Sequence, residues 1–302
     1  MTTETLARIW TSKIVDLDGV KIRYLDNGGT GPVVICLHGT SMTAHAWGHL
    51  GASLKDEARV IAVDMRGHGA SDRPGTTYAI AEMASDITKL AARLDLTGIT
   101  LIGSSVGNQV AVSFAAANPD RIAGLILSDP SFFCSDSEIV KYLRSHHTRQ
   151  RTYKTREQAE AYAMALPQRK GLSLAMHHMA MEGDFRQEPD GQWSWAYDLL
   201  AITKVFLNLS TDQSADIAAI KAPVLVLNAD RSNVLSGTQA ADLTAAFAKA
   251  RLEVITDSNH TIWGDQPVVL AQKPATSLPP CRASDGHREQ PDGPLRNPAR
   301  GL

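Results

Sequence analysis

Residues 99–117 read ITLIGSSVGNQVAVSFAAA. An apolar run enters a pair of serines bracketed by glycines, and a second apolar run of helical composition leaves it. A chain that passes from strand to helix over so few residues reverses at one of them, which forces that residue into a strained backbone conformation. Its neighbours two positions away must then be small, or their side chains collide across the bend. Gly103 and Gly107 stand at those positions around Ser105, so Ser105 is the apex and Ser104 lies off it. The bend exposes the Ser105 hydroxyl at the start of a helix, whose dipole favours developing negative charge. The five-residue pattern is weak alone; a strand before it and a helix after it make it specific.

Working outward, the same rhythm repeats. KIVDL (13–17) and VKIRYL (20–25) flank Asp18-Gly19, a hairpin signature. PVVICLHG (32–39) reads as a fully buried strand, AHAWGHLGASLK (44–55) as a helix and RVIAVD (59–64) as another strand. A glycine-rich loop, DMRGHGASDRPG, follows; it lacks the lysine and Ser/Thr of a phosphate-binding loop. Ile80, Met83, Ile87, Leu90, Ala91 and Leu94 mark one face of a helix, and RIAGLILSD (121–129) is the next strand. Apolar strands alternating with helices imply an α/β fold, a parallel sheet covered on both faces.

The rhythm breaks after Pro130 and returns at APVLVLNAD (222–230), TQAADLTAAFAKA and RLEVIT (251–256). Residues 131–215 are richer in charge, His, Met and Trp, and offer helical pieces with no clear strand. The chain therefore divides into a core over 1–130, an inserted helical cap over 131–215, the returning core over 216–272, and a tail over 273–302. An insertion between strands of one sheet sits beyond their carboxyl ends, where such sheets bind ligands. The tail holds six of the 14 prolines and no apolar period, which predicts disorder. QPVVLAQ (266–272) leaves only a short closing helix.

Composition narrows the function classes. A formal net charge of −2 gives no electrostatic reason for a nucleic-acid or anionic-membrane partner. Cys36, Cys134 and Cys281 are odd in number and far apart, so no disulfide framework is implied, and Cys36 reads as a buried thiol. MTTETLARIW carries no secretory signal pattern and no run of eighteen apolar residues occurs, so a cytoplasmic protein is the default expectation. Self-association is left open.

A serine hydroxyl needs a base to take its proton, and the base needs an acid to orient it. In this architecture the partners follow in the order serine, acid, histidine, on loops after later strands. His260, in TDSNHTIWGDQP, directly follows RLEVIT. Asp230, ending APVLVLNAD, is the most naturally placed acid; Asp129, ending LILSD, competes for the same imidazole. Asp257 and Asp265 read as loop residues. The oxyanion donors expected are the N–H groups of Val106, just after the nucleophile, and Thr40, in the loop after VVICL, with Ser41 second to Thr40. His38 reads as a structural residue of that loop.

LHGT, DMRGHGASDRP, GSSVG, a strand-terminal Asp and NH near the end together resemble the α/β-hydrolase fold superfamily over about residues 14–270. The resemblance implies a mostly parallel eight-stranded sheet with an inserted helical cap, and a serine hydrolase needing no metal or organic cofactor. Serine at 105 argues against the aspartate-nucleophile dehalogenases and epoxide hydrolases of that superfamily, and favours a small-molecule ester, lactone or amide. The alternatives are carbon–carbon hydrolysis of ring-cleavage products and a triad-retaining ligand receptor. Asn108 stands where many members have a further glycine.

The insertion supplies the remaining candidates. Among Arg144, Arg149, Arg151, Arg169 and Arg186, one could clamp a substrate carboxylate, with Arg144 the first choice. Trp193, Trp195, Tyr197, Met176 and Met179 either line a substrate pocket or form the insertion's own core. Trp263, three residues past His260, either walls the site or packs on the sheet edge. The pairs His146-His147 and His177-His178 sit about 100° apart on a helix, with no carboxylate or Cys spacing to complete a metal site.

Overall fold

The structure, a computed structural model, describes residues 9–75, 77–132, 134–166, 169 and 174–277, with the backbone alone at 174, 175, 177–179 and 275–277. The opening MTTETLAR, the tail from 278 onward and Cys281 therefore lie outside the described residues, and His177, His178 and Met179 are described by backbone alone.

Chain order begins with β1 (Thr11–Asp16) and β2 (Lys21–Asp26), joined through Asp18 and Gly19 in left-handed conformation (φ 58° and 92°). β3 (Val33–Leu37) leads through a short 3₁₀ turn, Ala44–Trp47, into α1 (Gly48–Ser53) and β4 (Arg59–Val63). Then come α2 (Ile80–Arg93), β5 (Ile99–Ser104), α3 (Val106–Ala117) and β6 (Ile122–Ser128). After the insertion, β10 (Val224–Ala229), α9 (Gly237–Ala246), β11 (Ala250–Ile255), α10 (Ile262–Asp265) and α11 (Pro267–Ser277) complete the described chain. One eight-stranded sheet results, ordered β1-β2-β4-β3-β5-β6-β10-β11. Its β1–β2 and β2–β4 pairs are antiparallel and the rest parallel.

The central strands are apolar throughout because successive side chains face opposite helix layers. Ile35, Leu37 and Leu101 enter the core on one face; Val34, Cys36 and Ile102 enter the other, with Trp47 and Ile255. No helix among the described residues is long and apolar enough to cross a membrane.

Between β6 and β10 lie α4 (Asp136–His147), β7 (Thr152–Tyr153), α5 (Arg156–Met164), α6 (Leu174–Asp184), β8 (Phe185–Gln187), β9 (Trp193–Trp195), α7 (Leu199–Leu207) and α8 (Ser214–Ala219). The expectation of a purely helical insertion is corrected here: β7, β9 and β8 form a small antiparallel sheet. Strands of two or three residues are too short to show a period of two. The closing helix is likewise longer than expected. α11 runs to Ser277 with Pro274 inside it, so 273–277 belong to a helix, not to the tail.

Candidate active site

Ser105 is the apex that its flanking glycines require. Its backbone sits at φ 52°, ψ −122°, a region L-residues rarely visit. A Cβ on Gly103 would lie 2.6 Å from the Asn108 backbone, and one on Gly107 2.4 Å from the Leu37 carbonyl oxygen. Both glycines are therefore steric necessities of the bend. The loop after β3 presses against it: a Cβ on Gly39 would stand 3.1 Å from the Ser105 Cβ. Thr40 and the left-handed Ser41 (φ 62°) follow at once. Among the described residues neither the Thr40 nor the Val106 N–H has an acceptor, and the buried Thr40 Oγ1 has no partner.

The acid facing His260 is Asp129. His260 Nδ1 donates to Asp129 Oδ2 at 2.7 Å, and the carboxylate is fully buried just past β6. Its other bonds come from Ser232 Oγ (2.6 Å), the Ala229 N–H (3.0 Å) and Asn228 Nδ2 (3.4 Å). The expectation that Asp230 orients His260 is corrected. Asp230 is exposed, and its carboxylate instead accepts the Asp257 and Ser258 N–H groups at 3.0 Å each. Those two bonds hold its carboxyl below the usual carboxylate value. Asp230 thus shapes the loop that delivers His260. Asp265 does the same from the other side, accepting the Asn259 N–H at 2.7 Å.

The segment after β6 is the common neighbour of the serine and the histidine. Asp129 holds His260, and Ser131 Oγ lies 3.5 Å from Ser105 Oγ. Nothing in the sequence singled out Ser131; its only signal is its place two residues past a strand-terminal Asp. Gln109 in α3 fixes it, Nε2 donating to the Ser131 carbonyl at 3.1 Å. Among the described residues His260 Nε2 makes no hydrogen bond, so its second nitrogen is not committed to the fold.

His38 is structural, as expected. Its Nε2 accepts the Met65 N–H at 3.0 Å, so the proton sits on Nδ1 and is donated to the Gly39 carbonyl at 2.8 Å. Burial lowers its pKa. His68, whose ring centroid is 4.9 Å away, is pushed down to about 3, by burial first and then by His38.

The insertion meets the loop after β3 through His146, another residue the sequence did not single out for this role. Its Nδ1 donates to the Tyr142 carbonyl at 2.8 Å, leaving Nε2 to accept from Ser41 Oγ at 3.1 Å. Burial first, then the Arg149 charge, holds this imidazole down to about 4. Of the expected substrate contacts, Arg144 is exposed on α4. Tyr197 is buried, stacked on Trp195 at 5.6 Å, and Trp263 is buried in the same core layer as Trp47 and Leu270. Trp263 packs within that layer. Among the described residues no cluster of His, Cys, Asp and Glu has the makings of a metal site.

Residues 32–267 match the family model for the alpha/beta hydrolase fold. The chain belongs to the α/β-hydrolase fold family. An uncharacterized Mycobacterium tuberculosis protein is 35% identical over 117 residues, which span 39% of this chain but only 34% of that protein. A Mycobacterium tuberculosis esterase is 28% identical over 257 residues, covering 81% of this chain and 82% of its own. Among solved structures, an E-2-(acetamidomethylene)succinate hydrolase superposes with TM-score 0.82 at 21% identity, over 89% of this chain and 98% of that one. At that identity the likeness concerns the fold.

Proposed function

We propose that this α/β-hydrolase is a serine hydrolase of small carbonyl compounds, an ester, lactone or amide, with Ser105, His260 and Asp129 as its triad. The observation that carries the reading is the His260–Asp129 bond, beside a strained serine one strand away. Ser105 Oγ attacks the carbonyl carbon while its proton passes to His260 Nε2. The oxyanion lies against the Thr40 and Val106 N–H groups, pre-aimed and costing no reorganisation. Collapse expels the leaving group, which takes the proton from His260, and an acyl-serine remains. Water then gives its proton to His260, attacks the acyl carbon and releases the acid, restoring Ser105. Asp129 keeps the imidazole in the tautomer that leaves Nε2 to act as base. The insertion over 131–215 is read as a cap that shapes the acyl pocket. The esterase and the diacylglycerol lipase of Danio rerio that the chain resembles (28% and 25% identical) lend support to ester chemistry.

The test is a panel of p-nitrophenyl esters, lactones, amides and dienoate diketones, run on wild type, Ser105→Ala, Asp129→Asn and Asp230→Asn. Multiple turnovers are expected, falling at least about a thousandfold in Ser105→Ala and Asp129→Asn, with Asp230→Asn retaining turnover. A single burst without release would point to a receptor instead. Loss in Asp230→Asn with Asp129→Asn intact would reverse the assignment of the acid.

A further inference from the structure

Three of the insertion's arginines sit on carboxylates: Arg156 on Glu160, Arg169 on Asp184 and Arg186 on Glu188. Arg149 and Arg151 do not. Among the described residues neither has a carboxylate oxygen within 4.0 Å, yet Arg149 is only 8% exposed and Arg151 Nη1 is buried without a partner. Both guanidiniums are gathered around the same aromatic pair. Arg149 Cζ lies 5.6 Å from the Trp195 ring centroid, and its Nη1 donates to Tyr197 Oη at 3.4 Å. Arg151 Cζ lies 5.2 Å from the Tyr197 centroid. Aromatic faces offset part of the lost hydration, but they satisfy neither the N–H donors nor the repulsion between two like charges. An anion does both, and a planar one takes a guanidinium edge bidentately.

The arginines are linked through Tyr197 and His146 to the loop that adjoins Ser105. The Tyr197 and His146 rings meet edge to face at 6.3 Å, and His146 holds Ser41 of the loop after β3 at 3.1 Å. The Arg149 and Arg151 charges both act on that imidazole. Tyr197 is also tied by its backbone to His68, whose ring meets His38, the residue before Gly39.

We propose that Arg149 and Arg151 form a carboxylate-binding subsite, and that the substrate is a carbonyl compound carrying a second, ionised carboxyl group. This rests on the hydrolase reading above and specifies its substrate class.

The test compares mono-p-nitrophenyl esters of the dicarboxylic acids from glutarate to suberate with their methyl-capped, uncharged counterparts. Wild type is expected to prefer the free acid at one chain length by at least tenfold in kcat/KM. The ratio falls toward one in Arg149→Gln and in Arg149→Gln/Arg151→Gln, whatever the absolute rate on the capped ester. Calorimetric titration of Ser105→Ala with monomethyl adipate and dimethyl adipate gives a readout independent of turnover: the monoacid binds at least tenfold more tightly. A wild-type ratio near one at every length overturns the subsite while leaving the hydrolase reading standing. So does a preference that persists in folded double variant. If wild type turns over neither series, the titration decides the subsite alone: equal binding of monoacid and diester overturns it, and selective binding of the monoacid sustains the carboxylate site.

Discussion

Ser105 sits at φ 52° because the residues on either side leave no alternative, and the steric record of that bend is specific enough to test. A Cβ on Gly107 would meet the Leu37 carbonyl oxygen at 2.4 Å, a backbone atom in the neighbouring strand that cannot rotate away. Ala is the better helix former by about 1 kcal/mol, but overpacking against backbone costs about 1–3 kcal/mol or more, so the clash wins. Gly107→Ala is expected to lower the unfolding free energy by roughly 2 kcal/mol and to cut ester turnover at least tenfold, both read on one purified variant. Gly237 has nothing within 4 Å of its would-be Cβ, so Gly237→Ala is the control and should be neutral or mildly stabilising. Unchanged stability and activity in Gly107→Ala would refute the steric account. The bend was legible in the sequence because its cause is local. The acid was not: Asp129 and Asp230 both end strands of the sheet, and strand order alone does not say which side chain turns inward. The register decides it. Leu227 pairs with Ser128, so Asp129 falls level with Asn228, while Asp230 stands farther along and faces the loop beyond β11.

At the scale of elements, the insertion is anchored by one buried amide. Gln109, in the helix that Ser105 begins, donates Nε2 to both the Ser131 carbonyl (3.1 Å) and the Leu209 carbonyl (2.9 Å), the two ends of the insertion. Gln213 Nε2 returns a bond to the Gln109 carbonyl at 2.9 Å. Gln109→Leu keeps the volume and removes both bonds, leaving the Leu209 carbonyl without its donor and the Ser131 carbonyl with only the weak Cys134 thiol contact, at about 1–3 kcal/mol each. A loss of about 2–5 kcal/mol in urea unfolding is expected, with turnover reduced because Ser131 is no longer held against Ser105. Gln213→Leu removes one bond only and should cost less; an equal or larger loss there would contradict the anchoring role. This element-level link was not readable from sequence, since a polar residue in a helix carries no sign of what it spans to. The small sheet of the insertion had one sign, the Pro189-Asp190-Gly191 turn between β8 and β9, with Gly191 at φ 83°. Its strands were hidden because three residues cannot display alternation.

The molecule as a whole carries a pH dependence that follows from where its histidines are buried. His45 and His146 are held down to about 4 and His68 to about 3, in each case by burial before any neighbouring charge. The folded protein therefore keeps these imidazoles neutral over a range in which the unfolded chain, titrating near 6.5, takes up protons. The unfolded state binds more protons, so stability is full above about pH 6.5. It declines as pH falls toward 4, by about 1.4 kcal/mol per pH unit for each such group well inside the window. Carboxylates held low by ion pairs, such as Asp26 with Arg59, act in the same direction only below their unfolded value, at more acid pH. The range between pH 6.5 and about 5.5, above the unfolded values of Asp and Glu, thus isolates the histidines. Urea midpoints should fall steadily across it, and the slope should flatten by about one group's share in His45→Gln, whose ring contacts Arg23 and Thr43 rather than the site. The overall sheet was legible because eight strands of apolar pattern state it redundantly. Histidine burial was not, since His38, His45, His68 and His146 fall in segments that also hold glycine, serine and charge, and only packing of distant segments removes them from water. A midpoint that stays level or rises as the pH is lowered to about 5.5 would mean that these rings are not held neutral in the folded protein.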